Sequence, residues 1–119
     1  MSEPVVLINV FEVPAADAEQ FVAAWEKTRD YLQRYPAHLD TALHQALGSD
    51  AEFQFVNIAH WRSAEEFTEA VSSPGFREAS ADLRWRFHPA LYRVARTQVN
   101  SPREHQVPQA EPLRGWLRQ

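Results

Sequence analysis

The sequence predicts an α+β fold in which an antiparallel sheet carries two helices on one face. Three observations predict it: runs of β-branched and aromatic residues, two stretches with apolar residues at helical spacing, and turn or cap signals wherever one period gives way to the other. Val5 to Val13 is rich in β-branched residues and ends at Pro14, which cannot donate to a sheet ladder, so it reads as strand one. Ala18, Phe21, Val22, Trp25, Thr28, Tyr31 and Leu32 then recur at three- and four-residue spacing, the mark of one apolar helix face that ends near Tyr35 and Pro36. His38 to Leu47 and Phe53 to Trp61 flank the turn residues Gly48, Ser49 and Asp50, and form a predicted hairpin of strands two and three. Ser63 followed by Glu66 is a capping-box pattern opening a second helix, with Phe67, Ala70 and Val71 on its inner face. Pro74 and Gly75 are expected to break that helix, and Phe76 to Leu83 to restart it. Trp85 to Val99 reads as a last strand, with a bulge or an edge position expected at His88 and Pro89.

The order strand, helix, strand, strand, helix, strand is the split βαβ arrangement of ferredoxin-like folds. Helices cover one face of such a sheet. Alternation places Val6, Ile8, Val10, Gln54, Val56 and Ile58 on one side, and Asn9, Phe11, Phe53, Phe55, Asn57 and Trp61 on the other, so both faces need cover. A second copy of the sheet is the simplest cover for the helix-free side, and a homodimer is expected.

A chain of 119 residues, 45% apolar and 24% charged, suits one globular domain. Residues 1–99 form its expected body, and the proline-rich stretch 100–119 an irregular arm. Absence of cysteine excludes disulfides, thiolate metal sites and cysteine nucleophiles. No apolar run approaches the roughly 20 residues that span a bilayer, and the N-terminus has no export signature, so a soluble, cytoplasmic protein without membrane contact is expected. A net charge of −4 offers no broad positive field, which argues against nucleic acid despite Arg84, Arg86, Arg93 and Arg96. No histidine pair stands at the spacing of a zinc or iron site, and serine-hydrolase and phosphate-loop motifs are missing. No metal and no cofactor are expected.

The segments VVLINVFEVP, FVNIAHWRSAEEF and FHPALYRV, in this order and separation, resemble the antibiotic biosynthesis monooxygenase family, over about residues 4 to 96. That resemblance implies a dimeric α+β barrel and a cofactor-free oxygenase acting with dioxygen on small aromatic substrates of polyketide type, although relatives include heme-degrading proteins and others of no known activity. Triplet dioxygen needs an electron from the substrate itself when no metal or flavin supplies one, and an ionised phenol or enolate can give it. The protein must then remove a proton, stabilise the anion and exclude water. Asn57 and Trp61, four apart on strand three and so on one sheet face, ~13 Å apart along an ideal strand, suit the two ends of a multi-ring substrate. They coincide with the family's strand-three Asn and Trp, and Asn9 with its early Asn; the resemblance gives all three the catalytic donor roles. Phe11, Phe53, Phe55, Phe67, His44, His88 and Tyr92 are the expected substrate-binding residues.

Some oxygenases of the family use a phenol six residues after the Trp, where this chain has Phe67. The acid or base is therefore open among His38, His44, His60, His88 and Tyr92, of which His60 alternates toward the expected dimer side. The heme-degrading branch adds a helix-two histidine, and Ser63 to Leu83 contains none. Two classes of function stand: a monooxygenase turning a polycyclic phenol into a quinone, and a non-oxidative polyketide cyclase, isomerase or binding module on the same fold.

Overall fold

The computed structural model describes residues 3–100. Four strands, β1 (Val5–Phe11), β2 (His38–Gln45), β3 (Phe55–Trp61) and β4 (Phe87–Tyr92), form one sheet in the order β2-β3-β1-β4. Every neighbouring pair is antiparallel. The helices are α1 (Ala18–Leu32), preceded by a 3-10 turn at Ala15–Asp17, α2 (Ala64–Val71) and α3 (Pro74–Ala79). This is the ferredoxin-like α+β fold expected from the element order. The arm expected from residue 100 onward lies, past Asn100, outside the described residues. No helix among the described residues is long and apolar enough to cross a membrane.

Local chemistry accounts for the helix starts. The Ser63 hydroxyl accepts the Glu66 backbone N–H at 3.1 Å and donates to the Glu66 carboxylate at 2.9 Å, so the capping box opens α2 as the spacing predicts. The expected break is present, between Val71 and Pro74, but Pro74 opens the second piece where the sequence predicts a restart at Phe76. It occupies the first turn of α3, where its missing N–H would be unpaired anyway, and Ser73 caps that turn by accepting from Phe76 N at 3.3 Å. Asp17 at the head of α1 makes no side-chain cap; its carboxylate instead accepts the Trp85 indole N–H at 2.9 Å and ties the approach to β4 onto the helix.

β4 is shorter than the expected Trp85–Val99, because its partner β1 supplies rungs only from Phe11, opposite Phe87, to Val6, opposite Tyr92. The register there is continuous, so no bulge forms at His88 and Pro89. The edge position is real. Glu12 N donates to Arg86 O, so alternation puts Pro89 at a non-hydrogen-bonded rung, where its absent N–H falls on the free side of the edge strand. The bulge occurs in β2: His38 pairs with Trp61 and Asp40 with His60, leaving Leu39 as an extra residue, 54% exposed.

The core has two clusters between sheet and helices. One joins Phe11, Val13, Phe21, Ala24, Phe55 and Trp85, with Phe21 held edge-on to Phe11 at 4.7 Å and to Trp85 at 5.4 Å. The other joins Leu7, Ala37, Ala59, Trp61 and Ala70.

Candidate active site

Alternation along each strand decides which side chains meet the helices. On β1 these are Leu7, Asn9 and Phe11, and their rung partners on β3 are Ala59, Asn57 and Phe55. Phe87, Pro89 and Leu91 of β4 join the same face, opposite Phe11, Asn9 and Leu7. Both core clusters contribute walls to a cavity of about 660 Å3 between this face and the helices. Trp25, Thr28, Arg29 and Leu32 of α1 form one side of it, and Phe67 and Val71 of α2 with Phe76, Ser80 and Leu83 another.

Most of the wall is apolar, and several polar groups in it are already engaged. The Thr28 hydroxyl is held between Ala24 O and Ala79 O, each at 3.2 Å, and Ser80 donates to Phe76 O at 2.8 Å. Among the described residues, the groups left to address a ligand are Asn9, Asn57, Trp61, His38 and, on α1, Arg29, which also bonds Asp30. Thr41 donates its hydroxyl to Asn57 Oδ1 at 2.7 Å, which leaves the amide N–H groups as the free end of that side chain. Asn9 sits directly opposite Asn57, and its Oδ1 is buried with no partner among the described residues. Trp61 is wholly buried, and its indole N–H likewise finds no acceptor among the described residues. A buried donor and a buried acceptor without partners each cost about 1–3 kcal/mol, a cost that a polar ligand could offset.

The structure therefore brings Asn9, Asn57, Trp61, Phe11 and Phe67 to one cavity and leaves the other expected contacts outside it. Phe55 shares their parity but is core, 2% exposed and 4.7 Å from the Phe21 ring. Phe53 precedes β3 and packs at 5.8 Å against the His88 ring beside a shallow cleft lined by Glu12 and Glu52. His44, His88 and Tyr92 are rung partners of Val56, Val10 and Val6, which places them on the helix-free face. His88 bonds Glu12 there at 2.7 Å. His60 lies on that face too and bonds Asp40 at 2.6 Å.

Among the described histidines, His38 is the one that lines the cavity. Its ring lies 4.8 Å from that of Trp61, whose other neighbour is Phe67, edge-on at 5.3 Å. Partial burial pushes the imidazole below its usual pKa, and the Asp40 carboxylate offsets part of that shift. Parity counted back from Thr41 would have placed Leu39 opposite Trp61; the bulge substitutes His38. Among the described residues no three His, Asp or Glu side chains gather as a metal-binding cluster.

A sequence profile of the antibiotic biosynthesis monooxygenase family matches residues 4–82. Among solved structures, a candidate monooxygenase from Shewanella loihica PV-4 is 41% identical with a TM-score of 0.73, over 82% of this chain and 99% of that one. SnoaB, a cofactor-independent oxygenase from Streptomyces nogalater, is 28% identical with a TM-score of 0.70, over 81% of this chain and 97% of its own. A dimeric ferredoxin-like protein from Thermobifida fusca YX, 18% identical with a TM-score of 0.62 over 79% of this chain and 93% of that one, shares the fold. No curated protein sequence matches the chain. With the profile spanning most of the folded body and the sheet order agreeing, the chain belongs to the antibiotic biosynthesis monooxygenase family.

Proposed function

We propose that the protein is a cofactor-independent monooxygenase that oxidises a polycyclic phenol of aromatic-polyketide type to a quinone with dioxygen. The observation that carries this reading is the apolar cavity of about 660 Å3 in which Asn57, Asn9 and the indole N–H of Trp61, unpartnered among the described residues, share one sheet face. Its volume falls in the range of about 300–1,000 Å3 typical of small-molecule sites. Amide and indole donors set in an apolar wall stabilise an anion better than water does, because they are oriented before charge develops. The likeness to SnoaB, a cofactor-independent oxygenase, supports the oxidative reading.

The reaction balances without an external reductant. An anthrone-type CH2 group loses two hydrogens and gains one oxygen atom, and the second atom of dioxygen leaves as water. Phe11, Phe67, Phe76 and Leu91 supply flat and aliphatic contact for the rings, and exclusion of water protects the carbanion or phenolate until it meets oxygen. The working unit is a homodimer joined through the helix-free sheet face, in a cytoplasmic setting.

Oxygen uptake by the metal-free protein on 1,8-dihydroxyanthrone tests this. Quinone formation with one dioxygen consumed per turnover, without added flavin or iron, is the expected result. Conversion of substrate under strict anaerobiosis would overturn it in favour of a cyclase or isomerase, for which the same donors would stabilise an enolate.

A further inference from the structure

Among the described residues, the walls of the cavity contain two ionisable side chains, Arg29 and His38. A guanidinium stays protonated at any working pH and cannot take a proton. Among the described residues no carboxylate and no phenol lines the cavity: Tyr31 and Tyr35 direct their hydroxyls to each other and to Ser73, outside it. We propose that His38 is the group that takes the substrate's proton in this enzyme, its imidazole being delivered to the cavity beside Trp61 by the β2 bulge. The proposal rests on the oxygenase reading for the later steps, though the proton transfer itself does not require oxygen.

The geometry suits the role in three ways. His38 and the Trp61 indole are in ring contact, so an acceptor for the proton and an orphaned donor for the resulting anion stand side by side. The cross-strand pairing with Trp61 fixes the backbone of His38, and its N–H is anchored to Tyr35 O at 2.9 Å, so little reorganisation accompanies the transfer. Half-burial favours the neutral imidazole, the form able to accept a proton near pH 7. The charges around it are Asp40 on its own strand, bonded to His60 of β3, and Arg29 on the α1 wall. Arg62 and Glu66, where β3 meets α2, are paired with each other, and α2 presents only Phe67 and Val71 to the cavity.

The sequence of bonds is then complete. The ring CH2 gives a proton to the His38 nitrogen, and the electron pair left on carbon reduces dioxygen, ending in a new C–O bond. His38 returns its proton to the terminal peroxy oxygen. The O–O bond breaks as the second C–H hydrogen leaves as a proton, giving the ketone and one molecule of water.

Two measurements on the full-length protein test the proposal, both with 1,8-dihydroxyanthrone. In the absence of oxygen, absorbance follows ionisation of the bound anthrone; in its presence, oxygen uptake follows turnover. Wild type should ionise the ligand, and its kcat/KM should fall on an acid limb that lies below the ordinary histidine value of about 6.5, because burial displaces His38 downward. His38→Gln and His38→Phe, the latter keeping a ring against Trp61, should abolish ionisation, lower kcat by roughly 100-fold or more and flatten that acid limb. Added imidazole should restore turnover in His38→Ala. Glu19→Gln, an exposed change near the head of α1 and away from the cavity lining, should keep the wild-type profile. Oxygen uptake that survives in both His38 variants with the acid limb intact would overturn the assignment while leaving the oxygenase reading standing. Ionisation lost with His38 but unaccompanied by oxygen uptake in wild type would support His38 and sink the oxygenase reading. Neither ionisation nor uptake by wild type would remove both.

Discussion

Asn57 and Trp61 differ in what holds them, and that difference predicts how their variants behave. The Asn57 amide is oriented by Thr41, so Asn57→Ala removes a positioned donor and frees the Thr41 hydroxyl on the cavity wall. If it acts on a developing anion, the loss is about 2.7–4 kcal/mol, or 10²–10³ in kcat, with little change in melting temperature. Trp61→Phe keeps most of the buried ring and deletes an N–H that has no partner among the described residues, so the free protein should lose little stability while turnover and ligand-induced thermal stabilisation both fall. Full turnover in both variants on a confirmed substrate would show these side chains to be ordinary core. Their shared face, with that of Asn9, is legible in the sequence because strand parity needs only local counting. His38 is not so legible. Its placement depends on a one-residue bulge, and nothing local in His38-Leu39-Asp40 announces which residue will be turned out. The misplacement of His88 and Tyr92 has a related cause: their parity is set by the register of β4 on β1, a long-range property.

At the scale of elements, the corner between β3 and α2 carries a testable charge. Glu66 is held by the Arg62 guanidinium and by the Ser63 hydroxyl, which together push its carboxyl down to about 2. A carboxylate whose folded pKa is depressed stabilises the fold above its unfolded value, near 4.5, and that contribution is lost as pH falls through the folded value. Wild type should therefore lose stability faster than Glu66→Gln between about pH 4.5 and 2, the two melting temperatures converging at the acid end; parallel curves would mean the pair is too well screened to matter. Ser63 and Glu66 are readable in advance because a capping box is a short, local pattern. Pro74 is harder, since the same residue can end one helix or begin another, and Ser73 decides the matter here by capping α3. Close by, the Tyr31 ring lies so near Gly75 that an added Cβ would come within 2.6 Å of its hydroxyl and 2.7 Å of ring carbon Cε1. Gly75→Ala should cost about 1–3 kcal/mol by forcing Tyr31 off Ser73, and calorimetry should find much less cost in a Tyr31→Ala background, where the space is free.

For the whole molecule the question is what covers the second face of the sheet. The helices lie on the face of Leu7, Asn57 and Trp61, and opposite them Val6, Ile8 and Val10 of β1 and Val56 and Ile58 of β3 form an apolar strip through the two central strands. The edges of that face are polar: Asp40 with His60, and Glu12 with His88, flank the strip, and Tyr92 is half exposed at one end. An apolar centre inside a polar rim is the anatomy of a protein interface, and a self-complementary pairing of two such sheets closes with twofold symmetry. We expect light scattering at micromolar concentration to give twice the 13.7 kDa of one chain. Ile58→Asp places a charge in the middle of the strip, on the side away from the cavity, so it should yield monomer whose far-UV spectrum stays α+β, whereas Ile58→Val should stay dimeric. A wild type that remains monodisperse at 13.7 kDa would remove the interface. If Ile58→Asp gives a folded monomer that still turns over an anthrone at the wild-type rate, the two cavities are independent and the dimer serves stability. A folded monomer with lost turnover would instead mean that the sheet must be held from behind for Asn9, Asn57 and Trp61 to keep their alignment on the other side.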